Sequence, residues 1–211
     1  MKPAVAASIL EKMEVPAAAE TLEEMKSPTA ALIVAKMVEK DAHNRASLIL
    51  AEMSSSSAGD LIAELKAADA AWIVGELDVK TASGILYEMA YVGAGYVLAE
   101  LETDHAAQIL LEMDTENAAY ILDDMDTPAA TATLQEMESD HSAPLLAQMV
   151  QDAAALILAE MCKEGDYFTP GAVLSEMEYE AAAGLVQEMD PDEAAAVLGI
   201  EMDATAAAEI L

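Results

Sequence analysis

Lysine and arginine together supply only nine of the 211 residues, against forty aspartates and glutamates, so the formal charge at pH 7 is −31. A surface of that sign repels nucleic-acid phosphates and an anionic bilayer, which removes both as default partners. Aromatic residues are scarce, at 4%, too few for a large aromatic ligand platform. The single cysteine, Cys162, excludes an intramolecular disulfide and fits a reducing, cytoplasmic setting. Long apolar runs are missing too. The longest stretches without a full charge, such as Met89–Ala99, fall far short of the roughly twenty residues that span a bilayer. The opening MKPAVAASILEKM is charged by Glu11 and already follows the repeat described next, unlike a secretory signal. No Ser-His-Asp or Cys-His set has a workable spacing, and Gly171 stands outside any phosphate-binding motif, which argues against an enzyme.

Methionine, by contrast, is frequent and regularly placed. Thirteen of the fourteen, from Met13 to Met202, fall on one ruler with Leu65, Leu77 and Leu101 filling its gaps. The step is twelve residues, stretched to sixteen before Met53 and Met177 and to thirteen before Met202. With Met or Leu as position 12, the repeated text is D-x-x-x-A-A-x-I-L-x-E-M, clearest over 102–113, 114–125 and 150–161. Alanine at positions 5 and 6 favours helix and lets neighbouring backbones approach closely, while Ile, Leu and Met supply apolar volume.

The period selects the architecture. At about 100° per residue, twelve residues overshoot three turns by roughly 120°, so one long helix would smear the methionines around its circumference. Short helices of about eight residues with four-residue connections avoid this. The prolines agree: Pro16, Pro28 and Pro128 share position 3, and Pro3 and Pro191 share position 2, where a helix opens without needing their missing N–H. Asp190-Pro191-Asp192-Glu193 reads as an Asp cap, a first-turn proline and an acidic third residue. Helices this short are unstable alone and must stack, each burying large side chains worth roughly 1.5–3 kcal/mol apiece. The sequence therefore predicts an all-α right-handed superhelix, a solenoid of about sixteen to seventeen short helices. It is expected as a single elongated domain over 1–211, with longer connecting loops near 38–42 and 162–169.

Tandem A-A-x-(I/L)-L-x-(E/D)-(M/L) followed by D-x-(E/D/P), as in NAAYILDDMDTP (117–128) and AAAGLVQEMDPDEAAAVL (181–198), resembles the cytoplasmic N-terminal domain of MgtE-type magnesium transporters. That domain is a superhelix of short helices related to the middle part of the flagellar rotor protein FliG. The resemblance implies a non-catalytic regulatory module that responds to divalent cations, Mg²⁺ above all, and docks on a protein partner. This chain has more repeats than the family's domain usually carries, and neither the CBS pair nor the pore that follows in the transporters is in the sequence, so channel activity is not implied.

Individual residues offer few chemical candidates. The methionine ladder, with Met113, Met125, Met137, Met149 and Met161 as its central run, is read as structural core; soft-ligand chemistry toward Cu(I) is the competing reading. His105 and His141 each follow an aspartate at position 4, where a solvated or capping role is expected, and His43 sits in an irregular repeat. Asp123, Asp124 and Asp126 form an oxygen-rich turn suited to Mg²⁺, echoed by Glu188, Asp190, Asp192 and Glu193, with diffuse screening of a solvated acidic face as the alternative. The other functional class is a structural scaffold, self-associating through its end repeats into an oligomer or filament. It is motivated by the apolar Ile9, Leu10 and Met13 at one end and Ile210 and Leu211 at the other.

Overall fold

The computed structural model describes residues 1–163, 165–200, 202 and 204–211. Among the described residues every regular element is a short α-helix, and none is a strand. Two compact units divide the chain at Met113. In the first unit the helices are α1 (Pro3–Leu10), α2 (Val15–Glu23), α3 (Ser27–Val38), α4 (His43–Ala51), α5 (Ser55–Ala63), α6 (Ala67–Val74), α7 (Val79–Tyr87), α8 (Tyr91–Ala99) and α9 (Thr103–Glu112). The second unit holds α10 (Thr115–Asp123), α11 (Thr127–Gln135), α12 (Ser139–Gln148), α13 (Gln151–Cys162), α14 (Phe168–Glu176), α15 (Tyr179–Glu188), α16 (Pro191–Ile200) and α17 (Ala204–Ile210).

One repeat explains the rest. Asp114 caps α10 by accepting the Asn117 N–H at 3.1 Å, which satisfies one of the orphan donors of the first turn. Positions 5, 6, 8 and 9, here Ala118, Ala119, Ile121 and Leu122, fall on one face of the helix and are all buried. The helix ends at position 10, Asp123, with Asp124 as its C-cap. The Met125 N–H then turns back to the Leu122 carbonyl at 3.1 Å, and the backbone leaves the helix with the methionine side chain still folded inward. Position 12 is thus a connection residue that belongs to the core. The same return bond recurs from Met53 to Leu50, Met89 to Leu86 and Met137 to Leu134. Most helices run eight to ten residues, and the connections tighten to about three.

Helices pack mainly on the helix two places further along. In the first unit α1, α3, α5, α7 and α9 form one row and α2, α4, α6 and α8 the other; in the second unit α10, α12, α14 and α16 alternate with α11, α13, α15 and α17. Close packing within a row explains the small residue at position 6. A Cβ on Gly59 of α5 would lie 3.0 Å from the Ile85 carbonyl oxygen of α7, so even an alanine there would force the two helices slightly apart. Where Ser47 and Ser83 fill that position, their hydroxyls donate back to the Asn44 and Lys80 carbonyls at 2.8 and 3.1 Å, which removes the cost of burying them.

The two stretched steps spend part of their extra length as helix. α3 and α13 each continue through their methionine, Met37 or Met161, for twelve residues. Both then stop at a left-handed residue, Asp41 with φ 63° and Gly165 with φ 80°, a usual way to end a helix. Connections follow over 39–42 and 163–167; Glu164, inside the stretch expected as a loop over 162–169, lies outside the described residues. Asp166 restarts the chain by accepting N–H bonds from Phe168 at 2.9 Å and Thr169 at 3.2 Å.

Candidate functional site

Met125, Met137, Met149 and Met161 are buried, while Met113, the last residue of the first unit, is half-buried. Cys162 is also buried, and burial first, then Glu193 and Asp166, pushes its thiol up to about 11. At neutral pH it is a protonated, inert core residue.

The acidic turn is already engaged with backbone. Asp123, at position 10, reaches the N-terminus of α13 and accepts the Val150 N–H at 3.0 and 3.2 Å. Burial raises its pKa, the Val150 bond opposes that rise, and the neighbouring Asp124 adds to it. Asp126 caps α11 by accepting the Ala129 N–H at 2.9 Å, and Asp124 occupies the C-cap of α10. The position-10 bridge is a recurring device: Glu23 accepts the Ser54 N–H at 2.7 Å in the first unit. Among the described residues the donor atoms that do come within 4.8 Å of one another belong to Glu138, Asp140 and His141, all exposed at the start of α12. His141 Nδ1 lies 3.1 Å from Asp140 there.

Glu102-Thr103-Asp104-His105 repeats that text at the start of α9, in a different setting. There it borders a cavity of about 500 Å³ between α6 and the α8–α9 junction, lined by Trp72, Glu76, Glu100, Glu102, Asp104 and His105. Trp72 is 61% exposed, and its ring lies 5.5 Å from that of His43. His105 Nε2 is buried in the cavity wall without a hydrogen-bond partner. Glu76 accepts from Asn44 of α4 at 3.3 Å, which ties the cavity to the next helix of the row. An indole face beside several carboxylates suits a cation that can stack and hydrogen-bond at once. A second cavity, in the second unit, is lined in part by Pro128, Thr131, Gln135, Glu160 and Lys163 and has no aromatic wall.

Trp72 is also one rung of a ridge. Leu48, Trp72 and Tyr96 hold position 7 on α4, α6 and α8, consecutive helices of one row, and are 51%, 61% and 59% exposed. Position 7 on the other row of the unit carries Ser8, Leu32, Asp60, Gly84 and Gln108, with no aromatic residue and one large apolar residue. Large apolar groups lined up on one row at half exposure mark an interaction surface better than scattered ones do. Sequence reasoning passed over them because aromatics are few. The signal that reveals them is the 24-residue spacing, two repeats, from Leu48 to Trp72 and from Trp72 to Tyr96.

Residues 85–167 match the family model described as the MgtE intracellular N domain. Neither the curated proteins nor the solved structures yield a match. The matched segment runs from α7 to the end of the α13–α14 connection and includes part of both compact units. No helix among the described residues is long and apolar enough to cross a membrane.

Proposed function

We propose that the chain is a non-catalytic binding module of the MgtE N-domain type, docking on a protein partner through the ridge Leu48, Trp72 and Tyr96. The exposed ridge carries this reading: three large apolar side chains at one register position of one row, where the opposite row offers mostly small or polar groups. A photo-crosslinking residue placed at Tyr96 captures the partner in the native host, and the same residue at Asp60 on the other row does not. The purified partner then binds the Leu48→Asp/Tyr96→Asp variant at least about tenfold more weakly. Equal capture from both positions, or a partner indifferent to the double variant, rejects the docking ridge.

Divalent cations enter this reading as modulators. Mg²⁺ stabilises the chain by screening its acidic surface, the reading favoured over a specific site at Asp123, Asp124 and Asp126 because Asp123 and Asp126 already accept backbone N–H groups. The rise in melting temperature with millimolar Mg²⁺ therefore vanishes in high monovalent salt. A rise that persists in salt and is abolished by Asp124→Asn with Asp126→Asn restores the three aspartates as a metal site.

A further inference from the structure

The cavity beside Trp72 differs from the rest of the acidic surface in three respects that converge on one ligand chemistry. It is concave, at about 500 Å³, ample for a long side chain. One wall is the chain's sole tryptophan, largely exposed although tryptophan is costly to leave in water. The rim supplies Glu76, Glu100, Glu102 and Asp104, with no lysine or arginine among the lining residues.

We infer that this cavity receives an arginine side chain from a basic segment of the partner that docks on the ridge. The inference rests on the docking reading above and names the chemistry of its anchor. Arginine fits better than lysine, because a planar guanidinium stacks on the indole face while its fork of N–H donors meets carboxylates two at a time. An anionic or neutral anchor would be repelled or left unpaired by four carboxylates. A second copy of this chain is a poor donor: its single arginine, Arg45, is part-buried and donates to the Met13 carbonyl, and each copy carries −31. Trp72 belongs to both the ridge and the cavity, so an arginine held there would be anchored next to exposed apolar area, as binding hot spots are.

Because Trp72 is the only tryptophan, its emission reports the cavity directly in the full chain. The probe is the blocked pentapeptide Leu-Gly-Arg-Gly-Leu, compared with the same peptide carrying citrulline, which keeps the shape and loses the charge. The arginine peptide changes Trp72 emission saturably with one-to-one stoichiometry, and the citrulline peptide binds at least about tenfold more weakly. Glu100→Gln with Glu102→Gln lowers the affinity about tenfold, whereas Glu178→Gln with Glu180→Gln, removing equal charge from exposed positions of the second unit, leaves it within about twofold. Neither Glu100 nor Glu102 caps its helix through the side chain, so the Gln pair keeps the fold, verified by a melting temperature no lower than that of the parent chain. An emission change that never saturates, equal binding of the two peptides, or equal loss in both double variants reduces the effect to diffuse attraction and overturns the assignment. If crosslinking at Tyr96 and the Leu48/Tyr96 dependence hold while the arginine peptide does not bind, the ridge stands and the arginine pocket falls.

Discussion

The two compact units share one repeat text and differ sharply in charge. Residues 1–113 hold eight of the nine basic residues and 18 acidic ones, a net −10; residues 114–211 keep Lys163 alone among 22 acidic residues, a net −21 in a shorter segment. The first unit ties its early helices with cations: Lys40 reaches the Ala4 carbonyl and Glu11, and Arg45 reaches the Met13 carbonyl. The second unit relies on aspartates as helix caps at Asp114, Asp126, Asp166 and Asp190. The ridge and its cavity lie in the first unit. The same core pattern therefore tolerates two surface regimes, one with cross-helix cations and an exposed apolar ridge, the other dense in acidic charge.

The largest effect expected comes from testing whether the cores are equivalent. Met53 and Met125 are buried to a similar degree, one in each unit, so Met53→Asp and Met125→Asp should each cost about 3–5 kcal/mol for an unpaired buried charge. The more negative second unit should lose more in low salt, and the gap should close in high salt. Denaturant melts of both variants at two ionic strengths measure this; a small loss for Met125→Asp comparable to a surface change would place that residue outside the core.

Next in size is the response of the wild-type chain to salt and acid. Hydrogen exchange on the intact protein at low ionic strength should show the second unit opening more readily, by on the order of 2 kcal/mol, and salt should restore parity. Acid works in two stages. Between neutral pH and about 5 the loss of carboxylate charge relieves repulsion and stability rises. Asp123 contributes in that direction, since its raised pKa means the folded state favours the protonated form. Asp78, Asp114 and Asp166 have pKa values held below 3.8, mainly by hydrogen bonds from Thr81, Asn117 and Thr169 respectively. Their depressed folded pKa gives stability that is complete well above 3.8 and lost as pH falls through the folded values. The melting temperature should peak in mild acid and drop below pH 3.8; a monotonic fall from neutrality would show that repulsion is not the controlling term.

Smaller effects separate adjacent aspartates. Asp126→Ala removes a cap and should cost about 1 kcal/mol, whereas Asp124→Ala, at a C-cap, should stay within about 0.5 kcal/mol and can be stabilising in so acidic a unit. Equal losses would mean that the Ala129 bond is not what Asp126 provides. Smallest in free energy is Cys162, which should resist thiol reagents at pH 8 until the second unit opens. Prompt labelling would contradict its burial and its raised pKa.

Much of the fold was legible because the repeat writes the same instruction many times. The methionine ruler gave the register, the prolines marked helix starts, and alanine at positions 5 and 6 marked the close approach later seen at Gly59 and Ile85. Asp190 was recognisable as a cap, and it accepts the Asp192 N–H at 2.9 Å. The Asp123, Asp124 and Asp126 turn was harder to read: three oxygen-rich neighbours suggest convergence, yet a helix end followed by a helix start sends Asp123 and Asp126 to different backbone donors. The cavity was not legible at all. Trp72 and His105 are 33 residues apart, and their proximity depends on which helices share a row, a fact that composition does not contain.

Packing between every second helix makes the chain of the first unit two interleaved strings, one spelled on α1, α3, α5, α7 and α9 and the other on α2, α4, α6 and α8. Duplicating one repeat between α4 and α8 shifts every later helix to the opposite string and scatters the ridge across both rows. Duplicating two keeps parity, and the ridge gains a rung. Such an array can lengthen by single steps without losing its core, but growth inside the ridge keeps its rungs on one row only by pairs.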